Sequence, residues 1–148
     1  MNGRHDNGIH RLTQMVPWQE SWEETFQAEK RLIADAMTGA GLRGNVYHIG
    51  STSVEGMISK PIIDILLCPQ KDETLNAYIP VLEEAGYTNL SECGREGRYF
   101  LSKGNEENHT FYLHLCHEDH QVAIDQKLFQ FIEQNDPVVF YSYKRLKK

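Results

Sequence analysis

The sequence predicts one α+β domain with helices packed on a mixed β-sheet, and three observations carry that reading. Apolar residues at Trp18, Trp22, Phe26, Ile33 and Met37 form a helical stripe near the start. The run "PIIDILLC" at 61–68 is continuous and apolar, which suits a strand covered on both faces. Further on, Phe111, Leu113 and Leu115 alternate with Tyr112, His114 and Cys116, the period of a strand with two different faces.

The elements follow in chain order. Residues 1–14 are polar and read as a loose arm, which leaves 15–148 as the domain. The first helix has Pro17 in its opening turn and Gly39 and Gly41 as its stops. Strands are expected at 43–49 and 61–68. A helix is expected over 72–86, with Asp72 as N-cap, Gly86 as its end, and Pro80 kinking or restarting it. Strands near 87–92, 97–103 and 109–117 come next, then a helix over 119–135. After Asp136-Pro137 a last helix runs into "YKRLKK", read as a solvated end whose cations suit the helix dipole.

Composition narrows the functional classes. With 148 residues, 40% hydrophobic and 24% charged, the chain has ordinary globular proportions. A net charge of −6 argues against general nucleic-acid binding, which needs a basic face. A small phosphate needs only a local pocket of donors, so a nucleotide stays open. No apolar run approaches the roughly 20 residues that cross a bilayer, and "MNGRHDNGIHRLTQM" lacks a signal-peptide core. A cytoplasmic protein with no membrane partner is the reading. Cys68, Cys93 and Cys116 are odd in number and lack C-x-x-C spacing, as buried reduced thiols do. The His114, His117 and His120 spacing suits neither a helix face nor a strand face, so no zinc is expected.

The chemistry concentrates in "NVYHIGSTSVEGMISKPIIDILLC", residues 45–68. Gly50 permits a tight turn and close backbone approach. Ser51, Thr52 and Ser53 add hydroxyls, and their amides suit an anion. Lys60 offers a cation. Asp64, inside an apolar strand, needs a partner: a divalent ion, a basic side chain or a hydroxyl. The spacing is neither G-x-x-x-x-G-K-[ST] nor G-x-G-x-x-G.

"HIGSTSVEGMISKPIIDI" closely resembles the signature of the GrpB family within the nucleotidyltransferase superfamily. "PWQESWEETFQAEKRLI", "GRYFLSKG", the "LHL" at 113–115 and "DPVVFYSYKRLK" are similar to other parts of that family, from about residue 15 onward. The resemblance implies a nucleotidyltransferase-like mixed sheet with packed helices. It also implies a Gly-Ser turn that binds phosphates, and a following strand whose Asp-x-Asp or Asp-x-Glu pair holds Mg²⁺ or Mn²⁺. Twelve residues separate Ser51 from Asp64, a spacing that suits that arrangement. The second acidic position here is Leu66, and no acid lies between Asn108 and Cys116, leaving Glu118 and Asp119 just beyond. Glu55 stands where relatives carry proline, Phe111 and Tyr112 where many carry histidine, and Gln130 where arginine is common.

By the same resemblance, Arg98 is a candidate phosphate contact. His48 and His114, on two strands, are expected to face one cavity with Gly50, Ser51, Thr52, Ser53, Lys60 and Asp64. The implied ligand is a nucleotide or another phosphorylated small molecule. Two functions stay open. One is a metal-dependent nucleotidyltransferase in which Asp64 is both catalytic and metal-binding. The other is a non-catalytic ligand-binding or protein-interaction module that keeps the fold without its second carboxylate.

Overall fold

The computed structural model of the protein describes residues 14–105 and 108–147. Helix α1 (Ser21–Gly39) is followed by β1 (Gly44–Ile49), a 3₁₀ turn (Ser51–Ser53) and β2 (Ile63–Pro69). Helix α2 (Leu75–Glu84), β3 (Tyr87–Asn89), β4 (Tyr99–Asn105) and β5 (Asn108–Leu115) come next, and α3 (Gln121–Asn135) and α4 (Pro137–Lys147) complete the order. The expected arm at 1–14 lies outside the described residues, apart from Gln14.

The five strands form one sheet in the order β1-β2-β5-β4-β3. β2 pairs antiparallel with β1 and parallel with β5, and the remaining pairs are antiparallel. The sheet is therefore mixed, and β2 lies inside it, which explains its unbroken apolar run. Alternation divides that run between two faces. Ile63, Ile65 and Leu67 join Val46, Leu101, Leu113 and Leu115 in the main core under α1 and α2. Leu66 and Cys68 join Ile49, Cys116, Val122 and Ala123 in a smaller core under α3.

Helix α1 buries Trp22, Phe26, Glu29, Ile33 and Met37, spaced at three and four residues. The buried Glu29 is satisfied by the Tyr87 hydroxyl and the Lys103 ammonium, each at 2.8 Å. This helix starts at Ser21, so Pro17 and Trp18 precede it. Trp18 instead donates its indole N–H to the Thr52 carbonyl at 3.2 Å. Helix α2 begins after Thr74 and not at Asp72, and it runs through Pro80 as one element, short of one backbone donor there. His120 occupies the N-cap of α3, its Nδ1 accepting from the Val122 N–H at 3.0 Å. Cys68 and Cys116 are buried free thiols, and burial pushes them up to about 12 and about 11. Cys93 departs from the expectation: it is free and exposed. Among the described residues no helix is long and apolar enough to cross a membrane.

Candidate functional site

The site forms where β1 ends and β2 begins, on the sheet face that α3 and α4 cover. Gly50 has φ 76° and ψ −174°, a region reserved for glycine. A β-carbon there would stand 2.6 Å from Asp64 Oδ2, so only glycine admits the carboxylate against the turn. Register places Asp64 between Ile49 on β1 and Tyr112 on β5.

Two cavities meet at Ser51, Asp64 and Tyr143. One, of ≈ 400 Å³, is also walled by Gly50, His114, Asp125, Gln126 and Phe129. The other, of ≈ 220 Å³, is also walled by Ser59, Lys60, Tyr112 and Lys147. Lys147 donates from Nζ to Ser51 Oγ at 2.6 Å. Burial raises the Asp64 carboxyl from 3.8 to about 7, against the pull of the Lys147 ammonium. Burial lowers Lys147 in turn, while Asp64 and then Glu133 oppose the shift.

Arg98 is buried and aligned by Phe100, whose ring centroid lies 5.5 Å from its guanidinium carbon. Its Nη1 donates to His114 Nδ1 at 3.0 Å and its Nη2 to the Glu92 carbonyl at 3.1 Å. An arginine is always a donor, so His114 Nδ1 accepts and the proton of the neutral ring sits on Nε2. Burial first, and the Arg98 charge second, hold His114 down at about 4. Arg98 thus reaches the cavity through His114.

The expectation that His48 and His114 share a cavity fails. On β2 their partners are Ile65 and Leu66, adjacent residues whose side chains point to opposite faces. His48 stacks on Phe26 under α1, with ring centroids 4.6 Å apart. Its Nδ1 meets Glu23 Oε1 at 3.1 Å and its Nε2 meets Thr52 Oγ1 at 3.0 Å, so it braces the turn from behind. Ser53 Oγ donates to the Gly50 carbonyl at 2.6 Å. The Ser53 and Val54 amides close the turn on Gly50 and Ser51, so those two are spent inside it rather than offered to an anion. Of the four turn residues, Gly50 and Ser51 line the Asp64 cavities.

Two residues of these cavities, Lys147 and Asp125, lie outside the sequence expectations. Lys147 belongs to the "KRLKK" tail that was read as solvated; the spacing Phe140, Tyr143, Lys147 was its one available signal. Asp125 sits in the Asp64 cavity from the first turns of α3. Gln130, singled out in the sequence, lines neither cavity and donates to the His48 carbonyl at 2.5 Å. Glu118 does not supply a third acid. It accepts from Asn45, Tyr47 and Lys127, at the opposite end of β1 from the turn.

The donor set does not fit a two-ion centre. Leu66 is fully buried in the apolar cluster under α3, and no group of three metal-ligating side chains converges among the described residues. Asp64 offers a single carboxylate to a hard cation.

A five-stranded mixed sheet, helices on both faces and a polar cleft beside the β1–β2 turn define an α+β protein with a candidate small-molecule site at that turn. Residues 13–148 match the GrpB protein family, and the chain belongs to it. It is 30% identical to UPF0157 protein YqkA of Bacillus subtilis over 138 residues, which is 93% of this chain and 39% of that protein. Glutamate-rich protein GrpB of Alkalihalophilus pseudofirmus is 29% identical over 138 residues, 90% of this chain and 78% of the relative. The crystal structure of conserved protein GrpB from Enterococcus faecalis superposes with a TM-score of 0.78 at 29% identity, covering 90% of this chain and 80% of that one. The chain therefore spans well under half of the Bacillus relative and most of the two GrpB proteins.

Proposed function

We propose that the cleft binds a phosphorylated small molecule, a nucleotide being the first choice. The observation that carries this reading is the meeting of Ser51, Lys60, Asp64 and Lys147 around one cavity at a glycine-only turn. Two ammonium groups and a hydroxyl there suit phosphate oxygens. His114 Nε2–H is a further donor in the adjoining lobe. A base or other ring would stack on Tyr143 or Phe129, which meet edge to face at 5.2 Å.

Leu66 favours binding without nucleotidyl transfer. A divalent ion belongs to this reading only as a companion of the ligand's phosphates, with Asp64 as its one protein carboxylate. The nucleotidyltransferase alternative needs a second carboxylate from elsewhere, and Asp125, which lines the same cavity, is the candidate. Calorimetric titration with ATP, GTP, CTP and UTP, with and without Mg²⁺ or Mn²⁺, tests the proposal. Wild type is expected to bind one of them, with Lys147→Met weakening binding roughly tenfold through loss of a charged contact. Asp64→Ala is expected to remove any metal dependence. A folded wild type that binds none of the four would overturn the nucleotide choice.

A further inference from the structure

A second cleft, of ≈ 690 Å³, lies on the other side of the Gly50–Ser53 turn, where Thr52 and Ser53 form its floor. Its walls come from the segment before α1, the first turn of α1, the loop after Ser53, the end of α3 and the start of α4. Four carboxylates line it, from Glu20, Glu23, Glu55 and Glu133, and no Lys, Arg or His does so among the described residues. Trp18 and Phe140 line it as well. The Trp18 N–H is already given to Thr52, so the ring contributes its π surface.

Glu133 sets this cleft apart from a merely acidic surface. It is 4% exposed, and its Oε1 has no hydrogen-bond partner among the described residues. Burial first and Asp136 second push its carboxyl above the ordinary range, with Lys147 opposing. The Lys147 ammonium is itself engaged by Ser51. A buried carboxylate oxygen without a donor is costly, and a bound cation would remove that cost.

The chemistry of the cation follows from the spread of the acids. No three of them converge as ligands of a metal ion. They line a volume suited to a small organic molecule, with aromatic walls that attract ammonium groups. We propose that this cleft binds a small organic polyamine, with Glu133 as the buried anchor and Glu20 and Glu55 holding further ammonium groups, Glu23 being engaged by His48 and Gln27. The cleft and the phosphate cavity share the turn but no charged residue, so the proposal stands without the nucleotide reading.

The test is calorimetric titration of the full chain with spermidine, in the absence of nucleotide and at about 0.15 M salt, where weak surface attraction is screened. Saturable one-to-one binding is expected, accompanied by a change in tryptophan fluorescence from Trp18. Glu133→Gln should weaken it roughly tenfold, as loss of a buried charged contact does. Glu55→Gln, on an exposed loop residue, should weaken it by a smaller factor of roughly three and carries the test if Glu133→Gln fails to fold. Glu83→Gln, on the exposed face of α2, should leave binding unchanged. No binding, or equal losses in all three variants, would overturn the proposal in favour of general attraction to an acidic chain. Tight binding of an oligolysine peptide without spermidine binding would overturn the small-molecule assignment in favour of a basic protein segment.

Discussion

Asp64 is an acid kept beside an ammonium yet short of water, and the two influences act in opposite directions. Burial wins, since its carboxyl rises to about 7 despite Lys147. A carboxyl whose folded pKa lies above its unfolded value contributes most stability below the unfolded value and loses it as pH rises through the folded one. The window here runs from 3.8 to about 7. Asp64→Asn keeps the shape and removes the charge. At pH 8 this variant should exceed wild type in stability by on the order of 2 kcal/mol, and the gain should vanish near pH 4. Urea melts at both pH values check this, and a variant less stable than wild type at pH 8 would show that Lys147 outweighs burial. His114 runs the other way. Its lowered pKa contributes stability above 6.5 that is lost as pH falls toward about 4.

At the scale of elements, β2 is where the sequence was most and least informative. Its apolar run announced an interior strand, and the motif before it announced the glycine turn, the nearby Asp64 and the placement of Lys60. What the run concealed was the division of its residues between two helical layers, because a continuous apolar stretch has no period to read. The same blindness placed His48 and His114 together: each strand's facing is set by register, which the motif does not encode. The shift of α1's start from Pro17 to Ser21 has a similar origin, since the Trp18 contact with Thr52 is tertiary. Lys147 had no local signal beyond its helical spacing from Phe140 and Tyr143, because it meets the site only after α4 folds back against α3. Leu66 acquires a structural reason through these layers. It fills the core beneath α3, so a carboxylate at that position would be buried without a partner. Leu66→Glu should therefore cost ~3 kcal/mol or more and fail to create a metal site. Denaturant midpoints with and without Mg²⁺ read both effects; a stable variant with a Mg²⁺-dependent gain would contradict this account.

Across the whole molecule, the sheet is tied together at its far edge by a polar link within the main core. Glu29 on α1 holds Tyr87 on β3 and Lys103 on β4. The link joins the first helix to the two strands most remote from the cleft. Glu29→Ala strands a buried hydroxyl and a largely buried ammonium, and should cost about 3 kcal/mol. Nucleotide and spermidine affinities, measured where the variant is still folded, should be unaffected, because the cleft depends on the opposite end of the sheet. A loss of affinity without a loss of stability would contradict that separation.

Ser51 and Lys147 are 96 positions apart in the chain. The cavity walled by Ser51, Asp64 and Lys147 therefore cannot be finished on the ribosome until residue 147 has emerged, long after the glycine turn and Asp64 have been synthesised. Until then the turn has its brace from His48 and Trp18, and Lys60 in the cavity wall, but lacks the Lys147 ammonium. A nascent chain would carry a shaped but electrostatically incomplete pocket, completed only with the arrival of α4.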